Sequence, residues 1–124
     1  MKNYLELKDI SAHRIAFDLS NYIWETVLKW NYFAKDTVGK QLVKAADSVS
    51  ANIAEGFGRY FKKDKVNFYH YSAGSIEESW DWIEKANKRG LLKKEEYQHI
   101  SEELRRLPKE INSLIKFTND RLTI

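Results

Sequence analysis

The sequence predicts an all-α protein, an antiparallel up-down-up-down four-helix bundle that takes residues 1–124 as a single domain. Three observations carry that prediction. Apolar residues recur three and four positions apart through four long segments, the spacing of one face of a helix. No segment shows the strict alternation of a half-buried strand. The chain holds one Pro and five Gly, little material for sheets and tight turns, so its segments run as long helices joined by short connections.

Helices are expected over approximately residues 11–30, 37–56, 64–89 and 94–120. Met1 to Asp9 reads as a short, polar-leaning lead-in. Ser11 is a good N-cap for helix one, whose seam steps through Ala12, Ala16, Leu19, Ile23, Thr26 and Trp30, with Tyr22, Trp24 and Val27 adding apolar surface beside it. Asn31 to Asp36 forms the first connection, with Asp36 or Thr37 capping helix two. Gly39 weakens the first turn of that helix by up to about 1 kcal/mol.

The run from Ala45 to Arg59, AADSVSANIAEGFGR, is the centre of helix two. Leu42, Ala46, Val49 and Ile53 make its narrow apolar seam. Ala45, Ser48, Ala51, Asn52 and Glu55 beside the seam are small or polar, which lets a second helix approach closely. Asn52 and Glu55 are then expected to be buried and in need of hydrogen-bond partners. Gly56 and Gly58 are expected to end the helix in left-handed cap conformations. Arg59 follows at the negative end of the helix dipole.

Phe57 to Lys63 turns into helix three, with Asp64 as its N-cap. The seam there is read as Val66, Tyr69, Ala73, Ile76, Trp80 and Ile83, with a second stripe of Phe68, Tyr71, Ser75 and Trp82 on another face. A helix with two apolar faces is either central in the bundle or covered by a partner subunit. Gly90 stops this helix after Lys85, Lys88 and Arg89, and Leu91 and Leu92 tuck under the turn. Helix four runs through Tyr97, Ile100, Leu104, Leu107, Ile111, Leu114 and Thr118. Pro108 inside it removes the bond to the Leu104 carbonyl, so a kink rather than a break is expected.

Asn52-Ile53-Ala54-Glu55-Gly56-Phe57-Gly58-Arg59 resembles the signature of the four-helix-bundle family of 23S rRNA intervening-sequence proteins. Ser72-Ala73-Gly74-Ser75-Ile76-Glu77-Glu78 is similar to that family's second conserved stretch, and the resemblance spans Ile10 to the C-terminus. It implies a small helical bundle that assembles into a ring, a homopentamer, with no known enzymatic activity. Genes of that family often sit inside rRNA intervening sequences, and relatives serve as nucleic-acid-binding accessory proteins of diversity-generating retroelements. The signature highlights Asn52, Glu55 and Glu78, read here as a structural polar network that locks helix register. A ligand-binding or catalytic role for the three is the alternative.

Composition sets the outer bounds. A chain of 124 residues with 43% hydrophobic residues has one core and is not disordered. With no Cys there is neither a disulfide nor a thiolate metal site, and a reducing compartment fits. The first residues lack the apolar stretch of a secretory signal, and the longest uncharged run, Val66 to Ile76, is too short to span a bilayer. A soluble cytoplasmic protein with no membrane partner is the expectation.

No enzyme class finds its residues. Glu96 and His99 have the Glu-x-x-His spacing of di-iron bundles, but His13 and His70 lack the second such pair, so Glu96 is read as a solvated helix start. No Arg has a His four to six residues downstream, as many helical ribonucleases do. No Gly-rich phosphate loop and no Ser-His-acid set is present, and Ser48, Ser72, Ser75 and Ser79 read as small residues at helix contacts. No catalytic residue, metal or cofactor is expected.

The net charge of +3 and pI near 9.0 lean basic without being extreme. Arg59, Tyr60, Lys62, Lys63 and Lys65 interleave cations with aromatics at the helix two–three corner, where phosphates could be neutralised and unpaired bases stacked. Lys85, Lys88, Arg89, Lys93 and Lys94 form a second cluster at the next connection. In an up-down bundle the two clusters fall at opposite ends. A plainer reading is that these are helix-end cations beside a capped turn. Two functions therefore stand: an oligomeric nucleic-acid-binding accessory protein, with RNA expected ahead of DNA, or a ring-forming scaffold that engages another protein.

Overall fold

The computed structural model describes residues 5–122, and over them the chain is helical, without strands. A 3₁₀ turn at Leu7–Asp9 precedes four helices: α1 (Ser11–Leu28), α2 (residues 32–58), α3 (Lys62–Lys88) and α4 (Lys94–Arg121). Residues Met1–Tyr4 of the expected lead-in lie outside the described part. Each helix packs on its two neighbours in the cyclic order α1, α2, α3, α4. The α1–α2 and α3–α4 connections therefore share one end of the bundle. The α2–α3 corner lies at the other end, where Lys62 Nζ reaches the Leu122 carbonyl at 3.2 Å.

Helix two begins earlier than its spacing suggests. Asn31, not Asp36 or Thr37, is its cap, and its Oδ1 accepts from the Ala34 amide at 3.0 Å. The helix then passes through one π-helical stretch, Lys35–Gly39, before Lys40–Gly58. Gly39 explains where that stretch can sit. A Cβ there would lie 2.6 Å from Val27 Cγ1 and 3.1 Å from the Ala34 carbonyl, so α1 closes on α2 only over a glycine. Ser11 is also not a cap. It is the first residue of α1, and its hydroxyl donates to Glu110, tying α1 to α4. Asp64 lies in the first turn of α3, after an extended Phe61, where a carboxylate complements the helix dipole.

Neither Gly56 nor Gly58 adopts a left-handed conformation. Among the described residues only Gly90 has a positive φ, 74°. There the Gly90 amide bonds the Asn87 carbonyl (3.1 Å) and the Leu91 amide the Ala86 carbonyl (3.0 Å), a Schellman cap. Leu91 and Leu92 pack against the core beneath it. Gly56 serves a different purpose. A Cβ at Gly56 would stand 2.7 Å from Tyr69 Cε1 and 2.9 Å from the Lys65 carbonyl, so its missing side chain is what lets α3 cross α2.

The buried seam of α3 follows from that close approach. It runs Tyr69, Ser72, Ile76, Ser79, Ile83 and Ala86, while Ala73 and Trp80 are only half-buried. Two hydroxyls occupy the core because their acceptors come with them. Ser72 Oγ donates to the Val49 carbonyl across the helix pair at 2.7 Å, and Ser79 Oγ to the Ser75 carbonyl at 2.8 Å. Tyr69 is the largest fully enclosed side chain, and burial pushes its hydroxyl pKa up to about 12.

The α4 seam is as expected from Ile100 to Thr118, and the helix continues through Pro108. Glu96 is not solvated. It is 6% exposed, accepts from Lys29 Nζ at 2.8 Å and from the Lys93 amide at 2.9 Å, and so joins the end of α1 to the start of α4. Burial pushes its pKa up, but the hydrogen bonds from Lys29 and Lys93 and the charges of both outweigh that, and the net shift is downward.

Two expected outcomes test this packing. Gly56→Ala should destabilise the protein by about 1–3 kcal/mol through overpacking. Gly58→Ala, at a helical position with nothing within 4 Å of the new Cβ, should be neutral or stabilising by up to about 1 kcal/mol. Urea titrations giving both variants the same midpoint would refute the close-approach account. For Glu96, a folded pKa below the ordinary 4.5 means stability that is present above that pH and lost as pH falls through the folded value. Melting temperatures measured from neutral to acid pH should therefore fall less steeply for Glu96→Gln than for the parent below pH 4.5. Parallel profiles would show that the pair carries no stability.

Candidate nucleic-acid interface

At the α2–α3 corner the fold uses most of the cations itself. Arg59 Nε pairs with Glu55 Oε2 at 3.0 Å, and its guanidinium covers the Phe68 ring at 4.6 Å. Lys65 Nζ donates to the Phe57 carbonyl at 2.7 Å, and burial lowers its pKa. Lys62 Nζ donates to the carbonyls of Asn119 and Leu122 at 3.5 and 3.2 Å, closing the C-terminal end of α4. Lys63 is exposed, with no ion-pair partner among the described residues. Tyr60 and Phe61 stand out from the corner, 70% and 53% exposed, edge to face at 5.0 Å. The corner thus offers two open rings and one uncommitted cation.

The opposite end is arranged differently. The 27 residues of α3 separate the two ends by about 40 Å at 1.5 Å per residue. Lys85 is engaged, with Nζ 2.7 Å from Asp81 Oδ2 and 4.4 Å from the Trp82 ring centre. Lys88, Arg89, Lys93 and Lys94 are exposed, and none makes a side-chain hydrogen bond or ion pair among the described residues. The α1–α2 connection brings Tyr32 and Phe33 to this end, 78% and 76% exposed. Both fall within the stretch expected to be the first connection. Their signal was available: two adjacent aromatics following a polar Asn, in a stretch outside the expected apolar seams.

The polar network expected of Asn52, Glu55 and Glu78 is not formed within the chain. Asn52 is half-buried, and its Nδ2 donates only to the Ser48 carbonyl, at 2.9 Å within its own helix. Glu55 and Glu78 are exposed. The reason is angular: the seam through Val49, Ile53 and Gly56 faces α3, which turns Asn52 and Glu55 to the outer side. The second stripe of α3 is covered only in part: Phe68 lies under Arg59 and Trp82 under Lys85, while Tyr71, edge to face with Phe68 at 5.3 Å, stays exposed. An uncovered apolar stripe lies instead on α1, where Phe17, Trp24 and Leu28 are each about half exposed. Trp24 and Leu28 border an open groove of about 550 Å³ against Val43 and Ala51 of α2.

Among the described residues no group of three or more His, Asp or Glu is placed to hold a metal ion, and no helix is long and apolar enough to cross a membrane. His99 lies at a ring-centre distance of 4.4 Å from Tyr22.

Comparison with known proteins agrees with this architecture. The family model described as 23S rRNA-intervening sequence protein matches residues 8–113. A solved structure of a protein of unknown function from the S23 ribosomal protein family of Bacteroides thetaiotaomicron superposes with a TM-score of 0.75, at 19% identity. The match covers 85% of this chain and 98% of that one, a likeness of fold. No curated protein matches the sequence.

The exposed position of Glu55 reverses what burial would imply. Glu55→Ala removes a single i,i+4 surface pair and should change stability by about 0.5 kcal/mol or less. A loss of several kcal/mol in a denaturant titration would mean that Glu55 is enclosed by something beyond this one chain.

Proposed function

We propose that this chain, which belongs to the 23S rRNA-intervening sequence protein family, is a non-enzymatic, self-associating accessory protein that binds nucleic acid through its cationic helix ends. The observation that carries the reading is the pairing of exposed aromatics with uncommitted cations at helix connections: Tyr60 and Phe61 beside Lys63, and Tyr32 and Phe33 at the end that holds Lys88 and Arg89. Cations neutralise phosphates and flat rings stack on unpaired bases. The net charge of one copy is modest. Repetition of the same end around an assembly would raise the local field and the effective affinity together.

The α1 stripe supports self-association. Phe17, Trp24 and Leu28 lie on one side of the helix at i, i+7 and i+11, an apolar seam of the kind that packs against another helix. A ring of five copies is consistent with this proposal. The competing reading, a scaffold for another protein, draws on the same stripe but leaves the exposed cation–aromatic pairs without a use.

The test is an anisotropy titration of labelled RNA and DNA over a range of salt, with light scattering of the same samples. The logarithm of affinity should fall with the logarithm of salt by about 0.7–0.9 per phosphate contact. Lys63→Ala and Lys88→Ala should each reduce that slope by about one contact if their end is used, and should weaken all sequences alike. Arg59→Ala and Lys62→Ala are poorer probes, because both side chains are already engaged within the chain. Absence of binding to any RNA or DNA at low salt would leave the scaffold reading in place. A monomer at micromolar concentration would end the assembly proposal.

A further inference from the structure

An open groove of about 690 Å³ lies at the end where the α1–α2 and α3–α4 connections meet. Its size is within the range of about 300–1,000 Å³ usual for small-ligand sites. Phe33 and Thr37 come from the start of α2, Gln41 from the turn after the π-helical stretch, Trp82 from α3, and Arg89 and Leu91 from the following connection. Flat apolar rings, amide and hydroxyl groups and a cation therefore converge on one concave surface.

We infer that this groove takes one unpaired nucleotide of a single strand, the base against Phe33 and Trp82 and the adjoining phosphate at Arg89. This rests on the nucleic-acid reading above and names the place and the chemical form of the target. Four features of the groove select that occupant. Phe33 keeps 76% of its surface in water, so a ring that lines the groove is free to take a base. Trp82 is half-buried, held by the Lys85 ammonium over its ring, and no hydrogen bond engages its indole N–H among the described residues. The ring is thus positioned, and a donor remains open. Arg89 makes no ion pair among the described residues, and Lys88 beside it is likewise uncommitted. Gln41 makes no side-chain hydrogen bond among them, and the Thr37 hydroxyl, which donates to the Phe33 carbonyl at 2.7 Å, can still accept. These are groups that can read a base edge.

The groove suits a nucleotide better than a purely apolar guest or a bare anion. Asp36 also borders it, paired with Lys40 at 3.5 Å. A carboxylate there disfavours a phosphate deep in the groove and can accept from an exocyclic amine of a base. The phosphate is then left to the rim, where Arg89 and Lys88 stand. A duplex cannot use this arrangement, since its bases are stacked and paired and their faces are closed. The opposite corner lacks the combination, because three of its four cations are bonded to the chain itself.

The deciding experiment uses the full chain and a short strand carrying 2-aminopurine, made as RNA and as DNA, each also annealed to its complement. Fluorescence of the reporter should be quenched when the parent binds the single strand, as the base stacks on a ring. Phe33→Ala should abolish the quenching and weaken single-strand binding about 5–150-fold, the range of one lost base stack, with duplex affinity unchanged. Arg89→Ala should lower the salt slope by about one contact and keep the quenching. Trp82→Phe, which retains a ring, should keep most of the quenching, and unchanged circular dichroism of each variant establishes that the bundle is intact. The RNA and DNA arms show which sugar the groove accepts. If the strand binds with a normal salt slope while Phe33→Ala changes neither quenching nor affinity, the groove is not the base site. Loss of quenching in Tyr60→Ala instead would move the site to the α2–α3 corner and overturn the inference. If the parent binds no strand at all, the nucleic-acid reading itself fails, and a groove still needed for capture of a protein partner would belong to the scaffold.

Discussion

Everything in this bundle depends on how closely α2 and α3 can lie together. Gly56 sits against Tyr69 and the Lys65 backbone with no room for a methyl group. Further along the same pair, Ser72 reaches the Val49 carbonyl, a buried bond of 2.7 Å. A close crossing between two helices needs small groups where the backbones meet, and any polar group enclosed there needs a partner. Serine meets both conditions at once. It is narrow, and its hydroxyl can use a carbonyl of the neighbouring helix. That is why the α3 seam runs through Ser72, and through Ser79, whose hydroxyl uses the Ser75 carbonyl of its own helix, while the larger and more apolar Trp80 is left half in water.

The two ends of the bundle differ because their helices are finished in different ways. At the α2–α3 corner the helix ends leave carbonyls that no left-handed glycine satisfies, and lysines supply the donors: Lys65 to Phe57, and Lys62 to Asn119 and Leu122. At the other end Gly90 turns the chain so that backbone amides reach back to Ala86 and Asn87. The cations beside that cap are then not needed for it. Lys88 and Arg89 stay in solvent with their charge uncommitted. The rings do not divide in this way: Phe57 and Phe68 lie under Lys65 and Arg59, but Tyr60 and Phe61 stay open at the same corner, as Phe33 does at the other end. The local rule of helix termination therefore decides which charges the fold consumes and which it presents.

The shared end of the α1–α2 and α3–α4 connections is further fixed by Glu96, which holds the end of α1 to the start of α4 through Lys29. The π-helical stretch adds to this. It carries α2 back to Tyr32, which brings Phe33 to the groove that Trp82 also lines. A helix two that started at Asp36 would have left Tyr32 and Phe33 in a loop. Their display on a helical turn capped by Asn31 makes this end a shaped surface rather than a loose connection.

The periodicity of the sequence by itself determined the four helices, the burial of Leu42, Ala46, Val49 and Ile53, and the long seam of α4, because each of these follows from a repeat of 3.6 residues along one element. The stop at Gly90 was legible for the same local reason, as was the presence of cations at both ends. Only the tertiary structure decided the rest. Whether Gly56 serves a cap or a crossing depends on Tyr69, and whether Glu55 is buried depends on the few tens of degrees by which Val49 and Gly56 turn α2 toward α3. Nothing in the sequence around Lys62 shows that the carbonyls of Asn119 and Leu122 will lie within its reach, or around Phe33 that Trp82 and Arg89 will line the same groove. Spacing fixes which residues share a face of one helix. What that face meets, and hence which charge is spent and which ring is left open, is settled only when the helices pack.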